Sequence, residues 1–133
     1  FPLASALDAL EHSMAQPAVA RWQQATQAHP DAALLQLGLG NAHYAHGNYD
    51  KAVTAFHVAT QQDPHMAAAW NNLADALGQL GCAESGKRAI AEALRQRPEH
   101  PVFISTRTML DRVTEPSSNT TQCPSVEEIL AHD

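Results

Sequence analysis

The stretch Leu39-Gly40-Asn41-Ala42-His43-Tyr44, continued by Gly47-Asn48-Tyr49-Asp50-Lys51-Ala52 and then by Phe56, Ala59 and Asp63-Pro64, decides how this chain folds. Small residues at 40, 52 and 59 let two helices approach closely, and the large Phe56 fills the hole that their approach leaves. Gly47 stands between the two runs, where a tight turn between helices calls for positive φ. Pro64 cannot continue a helix and stops the second one. The stretch therefore reads as one antiparallel helix pair.

Moving outward, the same residue classes return at a period of 34. Prolines stand at Pro30, Pro64 and Pro98, and large apolar residues at Trp22, Phe56 and Ile90. Small residues stand at Ala25, Ala59 and Ala93, and again at Ala18, Ala52 and Gly86. Leu39 pairs with Leu73, Gly40 with Ala74, and Gly47 with Gly81. A unit of this size cannot bury its apolar face alone and must stack on its copies. The stretch 39–64 resembles a tetratricopeptide repeat almost in full, and Trp70-Asn71-Asn72-Leu73-Ala74 with Gly81, Ala93 and Pro98 resembles the next. The resemblance is specific over 33–100 and looser over 1–32. It implies an all-α, right-handed superhelix of about three helix pairs plus a C-terminal capping helix. The first helix of each pair would line a concave face. The resemblance also implies a scaffold or adaptor that binds a protein or peptide segment, without catalysis or a cofactor. The motif Gly38–Tyr44 with Trp70–Ala74 is similar, too, to repeat regions attached to bacterial bacteriocin-processing-type cysteine peptidases, which implies an alternative role as an accessory domain of a larger enzyme.

Helices are expected over 2–13, 17–28, 33–46, 49–61, 67–80, 83–96 and 101–113. The solenoid then occupies 1–113, with repeats 1–32, 33–66 and 67–100 and a capping helix 101–113, followed by a linker and short helix over 114–133. Leu3, Leu7, Leu10 and Met14 form a helical stripe in the first element. The cap is rich in β-branched residues, which are weak helix formers, yet a last element is needed to cover Ile90 and Leu94. The stretch 114–124 has linker composition and carries Asn119-Thr120-Thr121, a glycosylation-type pattern. Ser125-Val126-Glu127-Glu128 reads as a capping box opening a short helix with Val126, Ile129 and Leu130 on one side. A helix so short must dock to persist. The groove or the open end of the solenoid are the simplest seats, and a neighbouring copy would give self-association.

Composition limits the function classes. The 133 residues suit one domain, and the net charge of −6 argues against nucleic acid, which needs a basic patch. No apolar run approaches a membrane span. The start at Phe1 rather than methionine suits an excised or processed piece, so a targeting signal could have preceded it, and cytoplasmic and periplasmic locations both stay open. Cys82 and Cys123 lack metal-type spacing and are expected as free thiols, with Cys82 in a solvated turn. A disulfide joining tail to repeat body is the alternative, and it would imply an oxidising compartment.

Catalytic chemistry is thin. His43 and His46 share a helix face, but no third metal ligand stands nearby in sequence. A cysteine–histidine hydrolase would need one of the two cysteines beside a histidine and an oxyanion site. Gly38 and Gly40 fall inside a helix rather than in a phosphate loop. The informative residues are those expected to face the groove: Leu34, Leu37, Asn41, Tyr44, Ala68, Asn71, Asn72, Asp75 and Gln79. Amides there can pair with a peptide backbone while Leu34, Leu37 and Tyr44 supply apolar contact. Asn41 and Asn72 match the asparagines of tetratricopeptide clamps that grip a terminal carboxylate, but the basic positions hold Leu37, Val102 and Thr106, with Arg107 one residue away from one of them.

Overall fold

The computed structural model describes residues 18–114 and 123–131. The element expected over 2–13, with its leucine stripe, and the Asn119 pattern lie outside the described residues. Helix α1 runs over 18–28. It is followed by α2 (Ala33–Ala45), α3 (Tyr49–Gln62), α4 (Ala67–Gln79), α5 (Ala83–Gln96), α6 (Pro101–Asp111) and α7 (Val126–Leu130). Helices α2 and α3 pack as one antiparallel pair and α4 and α5 as the next. Successive first helices lie side by side, α2 on α4 and α4 on α6, so they form the inner layer of a right-handed αα solenoid.

The turns follow from glycine. Gly47 and Gly81 have φ of 82° and 80°. Around them the Asn48 N–H donates to the His43 carbonyl at 2.9 Å and the Gly47 N–H to that of Tyr44 at 3.0 Å. Cys82 and Gly81 repeat the pattern onto Leu77 and Gly78 at the same two distances. This is the Schellman closure that satisfies the last carbonyls of a helix. The prolines mark a second periodic bond. Gln62 donates its amide to the Pro30 carbonyl at 2.6 Å, and Gln96 donates to the Pro64 carbonyl at 2.8 Å, tying each helix end to the preceding unit. Trp70, fully buried, donates its indole N–H to the same Pro64 carbonyl.

Two large rings rest on residues without side chains, one within the α2–α3 pair and one between α1 and α2. A Cβ on Gly40 would fall inside the Phe56 ring, and one on Gly38 would fall against the indole of Trp22. Phe56 and Ile90 are each 1% exposed, as expected. Trp22 is not buried to the same degree: it is only partly buried, and its ring lies on α2, in the next unit. Gly86 also departs from expectation. Its place in the repeat suggests that alanine would suit it better, yet a Cβ there would lie 2.7 Å from Leu110 Cδ2, because the fully buried Leu110 of α6 crosses directly over it.

The cap forms despite its β-branched run. His100 accepts the Val102 N–H at its Nδ1, and Pro101 opens the helix. Thr106 and Thr108 return their hydroxyls to the carbonyls of Val102 and Ile104, four residues back, so neither competes for other backbone groups. Phe103 and Leu110 cover the end of the α4–α5 pair.

The tail corrects two expectations. Cys82 is not a free thiol in a solvated turn; it is fully buried and bonded to Cys123, with a Cα–Cα distance of 5.5 Å. The short helix α7 has its capping box, Ser125 and Glu128 each accepting the other's backbone N–H at 3.1 Å. It docks neither in the groove nor on the open end. It packs on α5, and the surrounding furrow is lined by Val53, His57 and Val58 of α3 and by Leu80. Ile129, 1% exposed, is its anchor. The bridge explains the location: Cys82 precedes α5, so Cys123 delivers the tail to the outer face made by the second helices. The apolar side of α7 is thereby used within its own chain.

Two outcomes follow from this packing. Gly40→Ala must displace a buried ring and is expected to cost about 1–3 kcal/mol; Gly86→Ala is expected to lower the melting temperature, since displacement of Leu110 outweighs the gain of roughly 0.5–1 kcal/mol in helix propensity. Thermal melts of both variants check this, and a rise for either would contradict it. Closing a loop of 41 residues is worth about 4 kcal/mol in the chain-entropy account. Reduction should therefore lower overall stability and raise hydrogen exchange first over 123–131. Exchange that rises first in α2 or α4 would contradict the docking described.

Candidate functional site

The inner face carries a ladder of side chains linking α2 to α4. Asn41 and Tyr44 lie one turn apart on α2, and Asn72, Asp75 and Gln79 occupy successive turns of α4. The partners are separated by 31 residues, one helical turn short of the repeat, so the ladder joins like faces of neighbouring first helices. The Tyr44 hydroxyl donates to Asp75 Oδ1 at 2.8 Å. Gln79 donates its amide to the Tyr44 oxygen at 3.3 Å and to Asp75 Oδ1 at 3.4 Å. Asn72 donates to Asn41 Oδ1 at 3.0 Å, and Asn71 donates to Asn72 Oδ1 at 3.1 Å. The Tyr44 ring meets the edge of Tyr49 at 5.1 Å between centroids, which fixes its direction.

These residues surround a cleft of about 170 Å³ lined by Asn41, Tyr44, Asn72 and Asp75, with the core residue Phe56 also in its wall. The ring that closes the α2–α3 pair thus also shapes the groove. Leu34, at the start of α2, is 67% exposed, and Leu37 is partly buried against the core. Ala68 is exposed on α4. Asn71 differs from its neighbours: it is buried, and its Oδ1 has no hydrogen-bond partner. At the clamp-type positions Val102 and Arg107 are exposed and Thr106 is buried, bonded to its own helix.

A larger concavity of about 580 Å³ lies further along the inner face, where α4 and α6 begin and α5 ends. It is walled by Met66, Asn71, Arg97, His100, Val102 and Phe103. Reading the repeat in sequence missed Arg97 and His100 as groove residues. They fall in the connection after α5, and only the closing approach of α6 brings them to the inner face. The recurrence of Gln62 and Gln96 at the repeat period was a signal that these connections are built parts of each unit.

His43, the other residue singled out for chemistry, is buried between helices. Burial, with help from nearby Lys51, holds its pKa below the usual imidazole range and so favours the neutral ring. Among the described residues, no three His, Cys, Asp or Glu side chains converge in a metal-binding group. No described helix is long and apolar enough to cross a membrane.

Burial and the bond to Asp75 push the Tyr44 phenol up from its usual value of 10 to about 12. A raised folded-state pKa gives stability that is present in full below pH 10 and is lost as pH rises through about 12. The stability difference between wild type and Tyr44→Phe should therefore be constant below pH 10 and shrink toward pH 12. Melts across this range check it, and a difference that stays constant throughout would contradict it.

Two family models, both described as tetratricopeptide repeat, match the chain, one over residues 3–67 and the other over 44–110. No curated protein matches it in sequence. The second match covers just over half of the 133 residues and spans both turn glycines and nearly all of the cap, while the first contains Gly40 and Phe56. With the stacked helix pairs and their recurring turns, these matches establish that the chain belongs to the tetratricopeptide repeat family.

Proposed function

We propose that this protein is a non-catalytic interaction module that holds an extended segment of another protein along the inner face of α2, α4 and α6. Tetratricopeptide repeats are generally protein-interaction modules, and the finer reading rests on the inner-face ladder. Asn41, Asn72, Tyr44, Asp75 and Gln79 are joined across two helices, so their rotamers are held before a partner arrives. Preorganised polar groups lose little freedom on binding. They also offer main-chain N–H and C=O groups the partners that water would otherwise supply. Leu34, largely exposed at the edge of the same surface, supplies apolar contact. The disulfide suits an oxidising working environment, where such bonds persist.

The outer face is a weaker candidate because α7 and the bridge already cover part of it. Helix α7 therefore lies away from the groove.

Capture of partners from extracts of the source organism, with Tyr44→Ala/Asn72→Ala as the paired control, tests this. The double variant should keep its helical circular dichroism and lose affinity by about 30-fold, the scale of a tyrosine-centred hot spot. Undiminished capture by the folded double variant would reject the groove and move attention to the outer face or the loops.

A further inference from the structure

The concavity at the starts of α4 and α6 has properties that the ladder does not explain. Asn71, one of the residues lining this cavity, is 6% exposed, and its amide nitrogen is committed to Asn72, which leaves its Oδ1 as a buried acceptor without a partner. Such an atom normally finds a donor, because leaving it unpaired is costly. His100 is fixed from two sides. Its ring stacks on Phe103 with centroids 4.1 Å apart, and its Nδ1 accepts the Val102 N–H. In the neutral ring the proton then resides on Nε2, the other edge, which becomes a donor. Arg97 has no ion-pair partner among the described residues. The lining includes Arg97, His65 and His100 and no carboxylate, in a chain whose net charge is −6. Met66, Val102 and Phe103 provide apolar wall, with Val102 about half-exposed.

From this arrangement we infer that the cavity is a specificity pocket for an acidic residue, Asp or Glu, within the extended peptide that the groove binds. The inference rests on the groove reading above and deepens it. A turn of the Asn71 side chain toward the peptide lets its Oδ1 accept a main-chain N–H. The peptide's side-chain carboxylate takes donors from the Arg97 guanidinium and His100 Nε2, while its stem lies against Met66 and Val102. Charge-assisted bonds of this kind are the strong ones. Asn72 lines both this cavity and the smaller cleft beside Tyr44, so the surface runs on past the pocket. A chain passing through fits that continuity better than one ending there, which assigns the carboxylate to an internal side chain.

The test uses the full chain and a phage-displayed random dodecapeptide library, with the displayed peptides fused at their C-termini so that no free terminal carboxylate is offered. Selected peptides are resynthesised with blocked ends and measured against wild type, Arg97→Gln and the Tyr44→Ala/Asn72→Ala variant. Arg97 is exposed, so its substitution leaves the fold intact, as matching melting temperatures will verify. The expected result is a set of groove-dependent peptides sharing Asp or Glu at one position. Replacing that residue with Asn or Gln should weaken binding about tenfold, and the penalty should vanish in Arg97→Gln. Groove-dependent peptides without a fixed acidic position, or an acid preference that survives Arg97→Gln, would overturn the pocket while leaving the groove reading standing. Failure to select any peptide sensitive to Tyr44 and Asn72 would overturn both.

Discussion

The structure depends on one contact: a large ring seated on a residue that has no side chain. Phe56 of α3 lies on Gly40 of α2 where even a methyl group would collide. This sets how closely the pair can pack, and so where the next pair must stack. Trp22 on Gly38 makes a related contact between α1 and α2. Because interiors are packed to crystal-like density, a shift of the ring would be felt by its neighbours rather than absorbed. The consequence reaches the surface, since Phe56 also lines the cleft beside Asn41, Tyr44, Asn72 and Asp75. Core geometry and groove geometry are set by the same side chain.

The division between the two faces follows. First helices touch one another across repeats and carry the polar ladder. The outer side instead leaves a furrow beside α5, walled in part by α3, which Ile129 and the Cys82–Cys123 bridge occupy. A tail anchored there contributes stability without competing for the inner surface. The buried His43, whose pKa burial lowers, belongs to this packing.

The repeat was legible in the sequence because its determinants are local and periodic. Positive φ at Gly47 and Gly81, the stops near the prolines, the burial of Phe56 and Ile90, and the Ser125–Glu128 box all follow from residues within one unit. Most of what was missed depends on contacts between distant segments. The pairing of Cys82 with Cys123 spans 41 residues, and no spacing rule identifies it. Gly86 looked replaceable because its periodic equivalents are alanines, but the residue above it comes from the cap, which does not follow the repeat. Arg97 and His100 were passed over for the same reason: α6 gives the connection before it a role that no preceding unit shows. Of the residues expected to face the groove, the ladder members do meet across α2 and α4, whereas Asn71 turns inward and lines the neighbouring cavity.

The central claim, that a partner lies along the inner face, is tested most directly by site-specific photo-crosslinking in the source organism. A benzoylphenylalanine placed at Leu34, exposed on α2, samples the groove edge; one placed at Arg88, exposed on α5, samples the outer helices. The account predicts a discrete cross-linked protein from position 34 that is absent from position 88. The same adduct from position 88 alone, or in equal yield from both, would contradict it.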